Sequence, residues 1–241
     1  MVNPIFAACS IFLASSAGAG ELIISGESDG LYLKSLPYLA RIDEINNDIF
    51  DERDQLSAND YFPADKKRRY MDELKELVEE ALPLLTRSAE QGHPAAQYRL
   101  ALAIYTFGNR EENTEYTCGL LKSSLSKGFT PAALQMIYSC TSDVTLRDFR
   151  ALINALPNNE DRYVRYYPQP TMMPSCDRGN RSQEKSIVPL DEKGFRANIY
   201  MALARQMSAL HHRQEQLAYL NKAAGYGCAE AINRLKVSVG N

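Results

Sequence analysis

SAEQGHPAAQYRL, residues 88–100, decides the fold, because it joins the signals that end one helix and begin another. Gly92 suits the left-handed backbone that ends a helix, since it carries no Cβ atom. Pro94 is favoured in the first turn of a helix, where its missing N–H is not needed. The surrounding apolar residues share one frame, counted from the glycine as −7, −3, +4 and +8: Leu85, Ala89, Ala96 and Leu100. The stretch therefore predicts two helices joined by a tight turn.

The same frame occurs twice more in the chain. The second instance lies around Gly128, 36 residues after Gly92, and consists of Leu121, Leu125, Ala132 and Met136. The third lies around Gly227 and consists of Leu220, Ala224, Ala231 and Leu235. Positions −7 and −3 lie one helical turn apart and share a face, and a small residue at +4 lets the second helix approach closely. A recurring unit of this kind is typical of a helical solenoid.

The repeat resembles a known family. The segments LLTRSAEQGHPAAQYRLALAIYTFG and YLNKAAGYGCAEAINRL are similar to the Sel-one-like repeat, a relative of the tetratricopeptide repeat. Two positions depart from the family pattern, Leu125 where the family has Ala and Ala101 where it favours Gly. The resemblance covers residues 84–141 and 197–237, and it implies a right-handed stack of helix pairs that contacts proteins, without a conserved active site. The expected fold class is all-α, a solenoid of antiparallel helix pairs with a long Pro-rich insertion.

The rest of the chain divides into further segments. Residues 38–57 can form a polar helix, and a second helix is expected from Pro63, with an apolar stripe that Pro83 should kink or end. The basic run KKRR at 66–69 indicates a solvated helix face. The expected segments are a signal peptide (1–19), an N-terminal extension with a polar helix (20–62), a helix and repeats (63–156), an irregular insertion with five prolines (157–194) and a C-terminal helix pair with a repeat (195–241).

The first nineteen residues indicate export. They hold no charged side chain, the apolar run from Pro4 to Ala14 is too short to span a bilayer, and Ala17-Gly18-Ala19 matches the pattern that signal peptidase cleaves. A periplasmic or secreted protein with no integral membrane span in the mature chain is expected. The alternatives are a buried N-terminal segment and a lipoprotein attached through Cys9. The lipoprotein has less support, because Phe6 replaces the usual Leu and apolar residues follow Cys9.

Removal of the signal would leave four cysteines, Cys118, Cys140, Cys176 and Cys228. An even number in an exported chain is typical of two disulfides, for which three connectivities exist. If one helix ends near Ser126 and the next begins near Pro131, antiparallel neighbours place Cys118 opposite Cys140. Such a bridge also occurs in the cysteine-rich Sel-one-like proteins that the chain resembles, and it leaves Cys176 for Cys228. With no Cys-x-x-Cys pair and only three histidines, neither a metal site nor another cofactor is expected.

The sequence holds few elements of enzyme chemistry. Ser-x-x-Lys occurs as Ser124–Lys127 and as Ser182–Lys185, and some cysteine-rich relatives are linked to penicillin recognition, but the Ser-Asp-Asn and Lys-Thr-Gly elements are missing. Ser124 and Lys127 are expected at solvent positions. No Gly-rich phosphate loop or nucleophile elbow occurs, and a net charge of −3 gives no reason to expect nucleic acid. We therefore expect a protein that is not an enzyme.

One stretch has the composition of a contact surface. YVRYYPQPTMM, residues 163–173, is rich in Tyr and Met, which are frequent in protein interfaces, and nearby arginines add hydrogen-bonding reach. The candidate partner-binding residues are Arg162, Tyr163, Arg165, Tyr166, Tyr167, Met172 and Met173. The alternative is that these aromatic residues cap the edge of the solenoid.

The expected partner is another protein. Small periplasmic Sel-one-like proteins resemble immunity proteins that neutralise type VI secretion toxins such as lipases, and the resemblance implies steric blocking of the toxin. The alternatives are a scaffold for envelope assembly and a β-lactam-binding hydrolase of the cysteine-rich type. The sequence leaves the oligomeric state open.

Overall fold

The computed structural model describes residues 24–54, 62–140, 146–156, 162–172, 174–176 and 187–239. The helices are α1 (Gly26–Asp54), α2 (Ala64–Glu90), α3 (Pro94–Phe107), α4 (Arg110–Ser126), α5 (Pro131–Ser139), α6 (Leu146–Asn154), α7 (Glu192–Ala209), α8 (Arg213–Gly225) and α9 (Ala229–Val239). A 3-10 turn spans Val164–Tyr166, and strand β1 (Gln169–Thr171) pairs antiparallel with β2 (Val188–Leu190). The described residues are thus mainly helical, which confirms the expected all-α class in its general form.

Helices that follow one another in the chain also pack against one another. α1 packs on α2, α2 on α3, α3 on α4 and α4 on α5, after which α5 packs on α7, α7 on α8 and α8 on α9. α6 and the two strands stand between α5 and α7 in sequence, although those two helices are in contact. Helix α6, the 3-10 turn and the two strands are therefore inserted between two helices that pack directly on each other.

Three glycines end helices as the repeat predicts. Gly92 has a φ of 86°, its N–H donates to the Ala89 carbonyl (2.9 Å), and the His93 N–H donates to the Ser88 carbonyl (3.1 Å). This pair of bonds is the Schellman arrangement, which satisfies carbonyl groups left free at a helix end. The equivalent residues at the ends of α4 and α8 are Gly128 and Gly227, with φ of 83° and 90°.

A fourth turn of the same kind ends α7 without a glycine. His211 takes the left-handed backbone with a φ of 59°, its N–H donates to the Ser208 carbonyl, and the His212 N–H donates to the Met207 carbonyl. The sequence does not indicate this turn, because a histidine occupies the left-handed position where a glycine is expected.

The residues of the repeated frame form the core between paired helices. The three alanines at +4 have no exposed surface, and the three leucines at −7 are at most 1% exposed: Ala96, Ala132, Ala231, Leu85, Leu121 and Leu220. Pro94 and Pro131 begin α3 and α5, as expected. Since protein interiors are packed as densely as crystals, a longer side chain at +4 would have to push the two helices apart.

The N-terminal helix is longer and more deeply packed than the sequence indicates. The helix expected at 38–57 begins at Gly26 instead, and Tyr32, Leu39 and Ile45 of this helix belong to the core. These apolar residues are spaced along one face, and the polar residues between them hide the stripe in the sequence.

The sequence predicts that α2 kinks or ends at Pro83, but the helix continues past this residue to Glu90. Pro83 is exposed, so the carbonyl group that loses its helical donor lies on the solvent side.

Neither α1 nor α2, nor any other helix in the described part of the chain, has an apolar stretch long enough to cross a bilayer.

The insertion folds back across the helices instead of standing apart from them. The Tyr166 hydroxyl donates to Asp29 Oδ1 of α1 over 2.7 Å. The Tyr98 hydroxyl of α3 donates to the carbonyl oxygen of Pro170 in β1 over 2.5 Å. Both hydroxyls lie in places with little access to water, so each needs a protein partner. These bonds fix one end of the insertion to the first half of the helix array.

The other end of the insertion is fixed to the later helices. The Tyr138 hydroxyl of α5 lies 2.6 Å from Ser175 Oγ, and Asn198 Oδ1 of α7 accepts the Cys176 N–H over 2.9 Å. Cys176 is also bonded to Cys228, which directly precedes α9. The insertion therefore contacts the array from its first helix to its last turn.

The disulfides are the two pairs expected from the sequence. Cys118 of α4 is bonded to Cys140, directly after α5, with Cα atoms 5.7 Å apart. Cys176 is bonded to Cys228 with Cα atoms 5.1 Å apart. The first bridge closes a helix pair, and the second fastens the insertion to the C-terminal pair.

Alanine substitutions at Gly227, in a left-handed turn, and at Gly119, inside α4, should change the stability in opposite directions. A Cβ atom at Gly227 would meet no atom within 4 Å, so Gly227→Ala tests the backbone alone and should lower the free energy of unfolding by about 1–2 kcal/mol. Gly119→Ala, inside α4 and equally free of contacts, should raise it by roughly 0.5–1 kcal/mol, because alanine has the higher helix propensity. Urea unfolding measures both. An unchanged free energy of unfolding in Gly227→Ala would contradict the left-handed conformation of this glycine.

Removal of the second disulfide should release the insertion. The double variant Cys176→Ser, Cys228→Ser opens a loop of 52 residues and should lose roughly 4 kcal/mol, with faster proteolytic cleavage within residues 162–176. The matched control, Cys118→Ser with Cys140→Ser, opens a loop of 22 residues and should lose roughly 3 kcal/mol without exposing the insertion. Equal cleavage of the insertion in both variants would show that Cys176 does not fasten it.

Candidate binding groove

The tyrosines expected to bind a partner lie inside the molecule. Tyr163 and Tyr166 are 5% and 4% exposed, and Tyr167 is half-buried. The Tyr163 hydroxyl donates to the Lys127 carbonyl (2.6 Å), and the Tyr167 hydroxyl donates to the Glu192 carboxylate. A buried ring with a bonded hydroxyl has little surface to offer a partner. The structure therefore favours the alternative interpretation, in which these residues cap the edge of the helix array.

The other candidates from this stretch are partly at the surface. Arg162 and Arg165 are exposed, and their guanidinium carbons lie 5.4 and 4.8 Å from the ring centroids of the tyrosines that follow them. Arg165 also pairs with Asp29 (3.1 Å). Met172 is half-buried, and Met173 lies outside the described residues. The two arginines therefore cover the tyrosines, a common arrangement of guanidinium groups over aromatic rings.

A polar cluster lies where the insertion meets α1 and the start of α3. His93 is 1% exposed, and its Nδ1 accepts a hydrogen bond from the Ala96 N–H (3.3 Å), so it caps α3. Its Nε2 faces Asp29 Oδ1 at 3.5 Å, and its ring stacks on Tyr32 with centroids 4.7 Å apart. Burial lowers the pKa of His93 to about 4, against the opposing effect of Asp29. His93 is therefore neutral near pH 7.

An open groove lies between α1, the middle of α3 and the β1–β2 sheet. Its volume is about 300 Å³, and the residues that line it are Tyr32, Leu36, Leu39, Ala40, Asp43, Glu44, Asn47, Arg99, Pro168, Gln169, Pro170, Ile187 and Pro189. A cleft of about 40 Å³ continues it along α3 and shares Leu39, Asp43, Arg99, Pro170 and Ile187 with it. We call the two together the α1–α3 groove.

A buried ion pair lines the groove at the contact of its two helices. Arg99 of α3 is 6% exposed and donates from both terminal nitrogens to the two oxygens of Asp43 of α1, over 2.9 and 3.1 Å. A planar guanidinium bonded at two points to a carboxylate is held in one orientation. The pair therefore fixes α3 against α1 and gives the groove a preset polar surface.

Gln169 provides an unpaired hydrogen-bond acceptor in the opposite wall. Its side chain is 2% exposed, and its Nε2 donates to the Tyr32 hydroxyl (2.8 Å) and to the Tyr166 carbonyl. Its Oε1 is buried and has no hydrogen-bond partner within the described structure. A buried acceptor left in this state costs about 1–3 kcal/mol, which a ligand carrying a donor could recover.

The Ser-x-x-Lys motif at the end of α4 does not form a reactive pair. Ser124 has no exposed surface, which corrects the expected solvent position, because it faces α3 and its Oγ donates to the Pro94 carbonyl (2.8 Å). Lys127 Nζ donates to Gln97 Oε1 (2.9 Å) and to Ser123 Oγ (2.8 Å). The geometry gives no support to acylation at Ser124. The second motif, at Ser182–Lys185, lies outside the described residues.

One signal in the sequence could have pointed to the groove. Arg99 stands in the apolar run YRLALAIY of α3, and an arginine buried in such a helix requires an acidic partner. That partner, Asp43, lies 56 residues earlier, and no spacing rule identifies it. The groove residues of α1 and of the two strands give no comparable signal.

The buried histidine predicts a loss of stability at acid pH. In the unfolded chain His93 titrates near the ordinary value of about 6.5, whereas the folded value is about 4. Between these values the unfolded state binds the proton and the folded state does not, so the free energy of unfolding should fall as the pH falls, by roughly 3 kcal/mol in all. His93→Asn keeps a capping oxygen but does not titrate, so its unfolding free energy should change less between pH 7 and pH 4. If urea unfolding shows that both proteins lose the same unfolding free energy between pH 7 and pH 4, the lowered pKa of His93 is contradicted.

Comparison with known proteins was made with family models, curated proteins and solved structures. No family model matches the chain, and neither a curated protein nor a solved structure matches it. The interpretation of the α1–α3 groove therefore depends on the burial, distances and charges of its own residues.

Proposed function

We propose that the chain is an exported protein without enzymatic activity that binds another protein through the α1–α3 groove. The observation that carries this proposal is the groove itself, an open space of about 300 Å³ with apolar residues in its walls and the preset Arg99–Asp43 pair. Specific binding sites commonly combine an apolar lining with a few fixed polar groups.

The arrangement of the helices supports a repeat protein. Three glycine turns with the same bonding, and contacts between consecutive helices, are the features that a solenoid of antiparallel helix pairs would have. Proteins of this architecture bind partners with an extended face of the stack. Because the insertion lies against α1, α3, α5 and α7, we assign binding to the part of α1 and α3 that it leaves open.

The two disulfides support a location outside the reducing cytosol, because such bonds persist in oxidising compartments. Residues 1–19, whose sequence favours a cleaved signal, lie outside the described residues. We infer that the protein acts in the periplasm or is secreted.

The resemblance to Sel-one-like repeats and the inferred export lead us to a toxin as the partner. As an immunity protein, the chain would bind a type VI secretion toxin such as a lipase and block its active site or its access to the membrane. To block a toxin sterically, the binding surface must keep its conformation when the toxin contacts it. The insertion bonded across the helices and the two disulfides support such rigidity.

The test uses the full chain and the purified product of the adjacent gene, with affinity measured by calorimetry. Ala40 is exposed on α1 and lines the groove, so Ala40→Trp should fill the site and weaken binding at least about tenfold. The matched control is Ala218→Trp at an exposed position of α8, which should bind like the unmodified protein.

Two outcomes would contradict the proposal. Equal affinity of the unmodified protein and Ala40→Trp would place the contact outside the groove. Failure to bind the toxin, with recovery of the chain in a stable multiprotein envelope assembly, would favour the scaffold role.

A further inference from the structure

We propose that the α1–α3 groove takes an extended segment of the partner in which an apolar side chain is followed by lysine or arginine. This inference rests on the proposed binding function and names the chemistry of the segment that the groove would recognise. It follows from the distribution of apolar surface and charge along α1, from the hydrogen-bonding capacity of the opposite wall and from the size of the space.

The first half of the α1 wall is apolar. Leu36 is 37% exposed in the groove, Ala40 follows it one turn later, and Leu33, 44% exposed, lies one turn before it. Residues three or four apart share a helix face, so these side chains form one stripe. Pro168 and Pro189 also line the groove, from the side of the β1–β2 sheet. An apolar side chain placed between these surfaces would remove both from water.

The second half of the same wall is acidic. Asp43 and Glu44 line the groove, and Asp48 is exposed one turn beyond Glu44. The cation among the lining residues is Arg99, whose terminal nitrogens are both bonded to Asp43 and whose side chain is 7% exposed. Arg41 is shared between Glu44 and a glutamate of α2. Among these described residues two arginines face four carboxylates, and the excess negative charge favours a basic side chain in this half.

The opposite wall offers an acceptor and few donors. Its three prolines have no N–H group, and the Ile187 N–H already donates to Asn47 Oδ1 (2.8 Å). Gln169 Oε1, in contrast, is a buried acceptor without a partner in the part of the chain that the structure describes. This wall therefore favours a segment that brings donors, such as a backbone N–H or a basic side chain. A carboxylate or phosphate in this half of the groove would face the carboxylates of Asp43 and Glu44.

The size of the space favours an extended segment. A volume of about 300 Å³ is at the lower end of the range of about 300–1,000 Å³ that is usual for ligand pockets. An α-helix with its side chains is about 10–12 Å across and needs a wider trough. One or two side chains of an extended chain are the better fit.

The test compares two fluorescein-labelled peptides by fluorescence polarisation with the full chain at low ionic strength. The basic probe is Gly-Leu-Pro-Leu-Lys-Arg-Gly-amide with fluorescein on its N-terminal nitrogen, and the acidic probe has Glu-Glu in place of Lys-Arg. We expect the basic probe to bind at least about tenfold more tightly than the acidic one. Glu44→Lys should remove this preference, and Ala40→Trp should abolish binding of the basic probe. Glu80→Lys, at an exposed position of α2, is the matched control and should keep the preference.

Equal binding of the two probes to the unmodified protein would overturn the inference. So would an equal loss of preference in Glu44→Lys and Glu80→Lys, because it would show a general effect of net charge. If neither probe binds, but the adjacent-gene product binds the unmodified protein more tightly than Ala40→Trp, the inference fails and the proposed function stands. If that product also fails to bind, both fail.

Discussion

The hydrogen bond from the Tyr166 hydroxyl to the Asp29 carboxylate joins residues 137 positions apart, and the groove depends on it. The same carboxylate oxygen pairs with Arg165 and faces the His93 ring, so three groups converge on one acceptor. Strand β1 begins three residues after Tyr166, so this contact helps to hold the strand against α1 and α3. The bonds from Gln169 to Tyr32 and from Tyr98 to Pro170 also hold the strand against these helices.

The parts of the fold that could be predicted from sequence have local causes. Gly92 and the glycines equivalent to it signal a left-handed helix end by themselves, and the spacing of residues around one such turn was enough to place Cys118 opposite Cys140. The turn at His211 has the same bonds but no such signal, since a histidine takes the left-handed backbone only occasionally and does not predict it. Helix α1 was underestimated for another reason, because polar residues separate the members of its buried stripe.

The groove could not be predicted, since its walls come from segments far apart in the chain. The bonds that bring them together, Arg99 to Asp43 and Ile187 to Asn47, span 56 and 140 residues. The tyrosine-rich stretch allowed two interpretations for a chemical reason: a tyrosine suits an interface and a buried, hydrogen-bonded position equally well. Arg99, a charged residue in an apolar helix, is the one feature of the sequence described above from which the site could have been inferred.

The path of the insertion also determines the order in which the molecule can be completed. In a plain stack of helical units each unit contacts only its neighbours, so structure can form and fray one unit at a time. In this protein α1 obtains its partners Tyr166 and Ile187 from the second half of the chain. Helix α1, which is synthesised early, is therefore among the last elements to be completed. Because these distant contacts join early and late helices, we expect folding and unfolding to proceed as one cooperative step and to be slower than in a stack of the same length with neighbour contacts only.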